Sequence, residues 1–359
     1  MRVVIAPDKF AGTLTAVEAA DAIAEGWARR APGDELVTVP MSDGGPGFVD
    51  VLHAVLGGEL LAVTVRGPYD DTLPATILRV DDTAYVESAQ AIGLHLTAEA
   101  DRDPMRASSA GVGDLVDHAI HSGARRVVVG LGGSGTNDGG AGLLAALGAT
   151  ADVPLDRGPV GLEGLSRVTL PDRPDVRITA ATDVDNALLG IVGATKAFGA
   201  QKGLTEEQLL VVDGRLQRLA ELTDRKLAGE KGAGAAGGLG FALMLLGADR
   251  RPGVDLVAEA VGLAAACQGA DLVITGEGAF DFSSRAGKVP YGVAEIAVPA
   301  LAPCIVLAGR VQIGARETRA MGVESAYSLV DLVGEERARQ HPREALAELA
   351  ERVARTWSR

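Results

Sequence analysis

Cysteine is nearly absent from this chain: Cys267 and Cys304 are the only two in 359 residues, and neither stands in a CxxC pair. A disulfide framework and a cysteine zinc site both lack ligands, so a reduced, cytoplasmic setting is expected. Aromatic residues make up 3%, which leaves Ala, Val and Leu to build the core. Positive charge is also scarce, with 34 Lys and Arg against 48 Asp and Glu for a net charge of -14. Such a surface repels a phosphate backbone, and no basic stripe interleaved with aromatics offsets it, which argues against nucleic acid as a partner. Long apolar runs are missing too. The uncharged stretch 232–248 is broken by glycine and falls short of the roughly 20 residues that span a bilayer, so it is expected to be a buried helix and no membrane partner is expected. The first residues, Met1-Arg2-Val3-Val4-Ile5-Ala6-Pro7-Asp8, contain no signal-peptide hydrophobic region.

What is present is glycine, 47 residues of it, set largely in loops behind short apolar runs. A chain of this length exceeds the usual single core, so two α/β domains are expected. The run 3–6 precedes Thr15-x-x-Glu18, a capping box that opens a helix carrying Val17, Ala20, Ala24 and Trp27. The pattern returns as a strand at 36–39, a glycine-rich loop at 42–47 and a helix to about Leu56. Repeated strand, loop and helix predict a parallel sheet. Between 60 and 89 the helical period gives way to strand-like runs at 61–65, 75–80 and 84–87. A helix at 112–121, a strand at 125–130, the loop 132–140 and an Ala/Leu helix to about Gly148 resume the α/β pattern. The stretch 152–174, rich in Pro, Gly and charge, reads as a linker or crossover before a strand at 177–181. Thr205 with Gln208 caps a helix, 271–275 and 305–308 read as buried strands, and 344–357 closes as an amphipathic helix.

Ligands of doubly wound sheets sit beyond the carboxyl ends of the strands. Three such loops are rich in glycine: Pro7-Asp8-Lys9-Phe10-Ala11-Gly12-Thr13, Ser42-Asp43-Gly44-Gly45-Pro46-Gly47, and Gly130-Leu131-Gly132-Gly133-Ser134-Gly135-Thr136-Asn137-Asp138-Gly139-Gly140. Glycine lets the backbone approach a phosphate, and a following helix N-terminus adds unpaired N–H donors. Any one loop is equally well explained as a tight turn; three at equivalent sheet positions point to a site. Two further segments combine carboxylates with a lysine: Thr182-Asp183-Val184-Asp185-Asn186 with Gln201-Lys202-Gly203, and Gly276-Glu277-Gly278-Ala279-Phe280-Asp281 with Gly287-Lys288. Phosphoryl transfer needs a carboxylate to accept a hydroxyl proton or hold Mg2+, and a cation to neutralise the transferred group. For either segment alone, a solvated turn with a surface ion pair is the commoner explanation.

Other patterns are weaker. Gly130-x-Gly132-x-x-Gly135 fits a dinucleotide fingerprint, yet no clear strand ending in an acidic residue follows about twenty positions on. A GxxxxGK[ST] loop does not occur. His118 and His121 lack a third metal ligand, and Arg102 and Arg106 are as well read as surface charge as a carboxylate grip.

In their order these loops resemble the bacterial type I glycerate kinase family. The resemblance rests on Ala6-Pro7-Asp8 with Gly12, Asp43-Gly44-Gly45, the 132–140 loop, Asp183-Val184-Asp185-Asn186, and Phe198-x-x-Gln201-Lys202-Gly203. Gly232-Ala233-Gly234-Ala235-Ala236-Gly237-Gly238 and Ile274-Thr275-Gly276-Glu277-Gly278 with Gly287-Lys288 complete it, so that it covers residue 3 to about 310. It implies ATP, Mg2+ and D-glycerate as ligands, with 2- or 3-phosphoglycerate as product. It also implies an α/β fold, a Rossmann-like or flavodoxin-like parallel-sheet domain with a second α/β domain inserted in it. On that basis residues 1–66 with about 290–359 are expected to form the first domain and about 67–289 the second. Gly132, Gly133, Ser134, Thr136, Asn137 and Asp138 are the expected phosphate and nucleotide ligands. Lys202 and Lys288 would neutralise charge, and Asp183 or Asp281 would serve as base or Mg2+ ligand. Asp8, Asp43, Gly44, Gly45 and Asn186 would line the substrate cleft. The expected partner is a small hydroxy acid, with a homodimer left open.

Four positions depart from the family pattern: Ala11 for Lys, Pro46 for Glu, Ala187 for Pro and Ser283 for Gln. The first two remove a charge. A kinase of D-glycerate, a kinase of a related hydroxy acid and a non-catalytic ATP-binding relative all stay open on the sequence.

Overall fold

The computed structural model describes residues 1–10, 12–282 and 288–358. Of the positions singled out above, Ala11, Ser283 and Gly287 lie outside the described residues.

The chain opens with β1 (Arg2–Ile5) and the helix Ala16–Arg30. That helix starts at the capping box: the Thr15 side chain accepts the Glu18 N–H, and the Glu18 carboxylate accepts the Thr15 N–H. Next come β2 (Glu35–Thr38), the helix Phe48–Leu56, β3 (Glu59–Arg66), β4 (Thr72–Val80), β5 (Thr83–Glu87) and the helix Ala110–His121. They are followed by β6 (Arg126–Gly130), the helix Ala141–Ala146, β7 (Thr150–Ala151), β8 (Val168–Thr169), β9 (Arg177–Ala181) and the helix Glu206–Leu222. The chain ends with β10 (Asp249–Arg251), β11 (Leu272–Phe280), β12 (Cys304–Val311), β13 (Ser325–Ser328) and the helix Pro342–Trp357.

Two sheets organise these elements. The first has the order β13-β12-β11-β1-β2 and is parallel throughout. The apolar run Leu272, Val273, Ile274 is fully buried in its middle strand, as expected where helices cover both faces. The second sheet has the order β10-β9-β6-β5-β4-β3; it is parallel from β10 to β5 and antiparallel for the hairpins β5/β4 and β4/β3.

The chain divides into two compact units: Met1–Asp43, Asp50–Gly57 and Pro252–Arg359 form the first, and Gly44–Val49 with Gly58–Arg251 form the second. This differs from the boundaries expected near 66 and 289. Residues of β11 pair with β1 in the register Val3↔Leu272, Val4↔Val273, Ile5↔Ile274, which carries Glu277 into the first unit. At the other boundary β3 pairs with β4 along its whole length and belongs to the second unit. Each unit has its own core: Ile5, Ile23, Trp27, Ile274, Leu307 and Leu346 in the first, and Ile77, Val86, Val129, Leu143, Leu216 and Phe241 in the second. Burying each such side chain is worth about 1.5–3 kcal/mol.

Of two local expectations, one is narrowed and one changes. The stretch 152–174 lies in the crossover between β6 and β9; β8 within it pairs with β7 just before it, and Leu155, Leu162 and Leu165 enter the core. The stretch 232–248 is not one helix: a 3-10 turn at Ala235–Gly238, with Ala236 at φ 50° and Gly237 at φ 70°, precedes a shorter helix at Leu239–Leu245. Left-handed backbone at two successive residues cannot continue a right-handed helix. Among the described residues no helix is long and apolar enough to cross a membrane.

Candidate active site

In the first unit the loop after β1 is laid along β11, because the Asp8 N–H donates to the Gly276 carbonyl at 2.8 Å. The loop after β2 is tied to it by the Met41 N–H, which donates to the Pro7 carbonyl at 2.9 Å. Asp8 is 8% exposed. Its Oδ1 accepts the Lys9 N–H at 2.7 Å, and the Lys9 ammonium lies 3.5 Å from that oxygen and 3.4 Å from Asp43 Oδ1. Burial pushes the Asp8 carboxyl up to about 7; Lys9 pulls against this shift, while Asp43 and Glu277 add to it. For Lys9, burial pulls the ammonium down, but the two carboxylates outweigh it and leave the group raised.

A second charged group surrounds Lys288, also in the first unit. Its ammonium is 3.7 Å from Glu277 Oε2 and 3.9 Å from Asp281 Oδ1. Lys9 thus joins Asp8 to Asp43, and Lys288 lies between Glu277 and Asp281; Lys9 and Glu277 were not among the expected site residues. The signal for Lys9 was its place directly after Asp8 in a strand-end loop; that for Glu277 was its place inside the Gly276-Glu277-Gly278 motif.

In the second unit the 44–47 loop packs backbone to backbone on the loop that begins at Gly130. Gly44 adopts φ 91°, and a Cβ there would sit 2.8 Å from the Ala181 carbonyl oxygen. Gly133 adopts φ 63°, and a Cβ there would meet the Pro46 ring at 2.9 Å. Pro46, one of the four departures from the expected pattern, packs against Gly133.

The remainder of the 132–140 loop turns inward. Thr136, Asn137 and Asp138 are 0% exposed. The Asp138 carboxylate accepts the Ser109 N–H and hydroxyl at 2.8 Å each, the Gly140 N–H at 3.0 Å and the Gly142 N–H at 3.2 Å. Burial raises its pKa against the pull of these bonds. Asn137 Nδ2 donates to Thr195 Oγ1 at 3.0 Å. Lys202, 2% exposed, donates to Ser134 Oγ at 3.1 Å and to the Thr136 carbonyl at 2.7 Å. Burial pulls that ammonium down to about 8, with Asp138 opposing.

The structure places the expected ligands of this loop at different depths. Asp138 and Lys202 are enclosed and hydrogen-bonded within the loop, and the side chains of Thr136 and Asn137 are likewise enclosed. Gly132, Gly133 and Gly135 keep accessible surface. Ser134 is 7% exposed and is engaged by Lys202.

Asp183 follows the end of β9 and is partly exposed. Asp185 is an exposed ion-pair partner of Lys231 at 2.8 Å and Arg250 at 2.6 Å, and Asn186 Nδ2 donates to the Val192 carbonyl at 2.6 Å. Arg102 donates to the Thr97 and Leu94 carbonyls through Nε and Nη2. Asp183 belongs to the second unit and Asp281 to the first. Among the described residues no three His, Cys, Asp or Glu side chains cluster as a metal cage.

These features were compared with known proteins. Residues 3–358 match the glycerate kinase family. The glycerate kinase of Bacillus subtilis (strain 168) is 38% identical over 371 residues, covering 99% of this chain and 96% of that protein. The glycerate 2-kinase of Escherichia coli (strain K12) is 38% identical over 350 residues, covering 93% and 92%. The crystal structure of a candidate glycerate kinase 2 from Salmonella typhimurium LT2 superposes with a TM-score of 0.83 at 36% identity, covering 99% of this chain and 98% of the other. With a match over nearly the whole chain and relatives of similar length above 30% identity, the chain belongs to the glycerate kinase family.

Proposed function

We propose that this protein transfers the γ-phosphoryl group of ATP to a hydroxyl of D-glycerate in the cytoplasm, giving ADP and 2- or 3-phosphoglycerate. The observation that carries the reading is Asp8, a buried carboxyl raised to about 7 beside the ammonium of Lys9. A general base works best when its pKa lies near the operating pH. Asp8 takes the proton of the glycerate hydroxyl, the hydroxyl oxygen bonds to the γ-phosphorus, and the bond from that phosphorus to the bridging oxygen of ADP breaks. Lys9 and Lys288 balance the negative charge of the substrate carboxylate and of the transferred group. The accessible glycines of the 132–135 segment offer backbone N–H groups to phosphate oxygens.

Mg2+ takes oxygen ligands and is commonly held by one or two carboxylates together with substrate phosphates and water, without a dedicated protein cage. Asp183, a partly exposed carboxylate in the same unit as the glycine loop, fits that donor set and would hold the ion. When bound, Mg2+ supplies charge neutralisation at the phosphates.

The test is ADP release in a coupled assay with ATP, MgCl2 and D-glycerate. The expected result is ADP formation that requires glycerate. The same assay with other small 2-hydroxy acids separates a glycerate kinase from a kinase of a related acid, and no ADP formation with any of them contradicts a catalytic role.

A further inference from the structure

We infer that Glu87 and Ser88, at the end of β5, act as one bracket that sets the register of the two glycine loops of the second unit, making Glu87 a positioning residue for nucleotide binding. Glu87 is 5% exposed and lies directly opposite Gly130 in the parallel register of β5 and β6. One of its oxygens, Oε2, accepts the N–H of Gly47 at 3.1 Å and of Val49 at 3.2 Å. These donors lie at the start of the helix Phe48–Leu56, where backbone N–H groups have no intrahelical partner. Ser88, the next residue, grips the other loop: its N–H and hydroxyl donate to the Gly130 carbonyl at 3.1 and 2.8 Å.

The surrounding packing leaves little slack. The Phe48 ring meets Tyr85 edge-on at a centroid distance of 6.1 Å, and it occupies the space a Cβ on Gly130 would need, at 2.9 Å. Moving the 44–49 segment therefore moves the backbone of the 130–133 segment. A buried acceptor serving two N–H groups costs much more to remove than to replace by another acceptor, so geometry rather than charge is what the bracket supplies.

The inference rests on the reading of the 132–135 segment as a phosphate loop, and its test has one arm that does not. Amide hydrogen exchange is compared in wild type, Glu87→Gln, which keeps an acceptor oxygen, and Glu87→Met, which has similar length and none. Glu87→Met is expected to exchange about tenfold faster in peptides covering both 44–49 and 130–135, while Glu87→Gln recovers to within about threefold of wild type. In turnover assays the Met variant is expected to lose about tenfold in kcat/KM for ATP, mainly through KM, with Gln again restoring it. Unchanged exchange in Glu87→Met, or Glu87→Gln behaving like Glu87→Met, overturns the inference. Absence of turnover in the wild type overturns the kinase reading instead and leaves the exchange comparison to decide the bracket.

Discussion

Two buried aspartates, Asp8 in the first unit and Asp138 in the second, start from the same physics and arrive at different roles. Burial raises both carboxyls. Asp138 meets four donors at 2.8 to 3.2 Å, all from its own unit. Among the described residues Asp8 receives bonds on Oδ1 from Lys9, one close and one at 3.5 Å, while Asp43 and Glu277 push its pKa further up. The two lysines divide in the same way. Lys202 is enclosed and tied to the Ser134 hydroxyl and the Thr136 carbonyl, whereas Lys9 keeps a quarter of its side chain exposed between two carboxylates. On the proposed reading, the number of fixed donors around a buried charge, more than burial itself, separates a bracket from a reactive group.

The contrast breaks most sharply at Asp8. Asp8→Asn is expected to lower kcat by about 10²–10⁴-fold, measured by ADP release. The same change should raise the melting temperature at pH 8. A carboxyl raised from 3.8 to about 7 on folding contributes stability in its protonated form at low pH, and that contribution is lost as pH rises through this window. Asparagine does not undergo the loss. A variant that is both inactive and less stable at pH 8 would place Asp8 with Asp138 as a bracket.

Asp138→Ala is expected to cost about 2–4 kcal/mol of stability, since it leaves buried N–H groups of Ser109, Gly140 and Gly142 unmet; urea denaturation measures it. Wild-type stability with lost turnover would reverse the two roles. Lys202→Met should lower kcat/KM for ATP by about tenfold through loosening of the 134–136 backbone. Because burial depresses Lys202 to about 8 from 10.5, the unfolded chain binds more protons in that interval and this group makes stability rise with pH across it. In the Met variant the stability curve should be flatter between those values. The smallest effect is expected at Gly133→Ala, about 1–2 kcal/mol from positive φ and the Pro46 contact, read by thermal unfolding.

The sequence made the local parts of this contrast readable and hid the non-local ones. Thr15 with Glu18 and Thr205 with Gln208 marked helix starts because a capping box lies within four residues, and both boxes form. The glycine loops were visible because each follows an apolar strand. What escaped depends on partners far along the chain. The assignment of β11 to the sheet of β1 spans 269 residues, and the enclosure of Lys202 depends on Ser134 and Thr136, 68 and 66 positions away. A lysine beside a glycine looks the same in sequence whether it faces a phosphate or a carbonyl. Glu87 gave no signal at all, since a single Glu at a strand end shows nothing of the two N–H groups it serves. The helix expected across 232–248 failed for a different reason: apolar composition was legible, but the left-handed turn at Ala236 and Gly237 was not.

The most direct measurement is the pH dependence of kcat/KM for D-glycerate between about pH 5 and 9 at saturating ATP and Mg2+. If Asp8 is the base, the profile rises with unit slope and levels off near 7, the value to which burial raises that carboxyl, and the residual activity of Asp8→Asn lacks this break. A flat profile across that range, or an unchanged break in Asp8→Asn, would contradict the account.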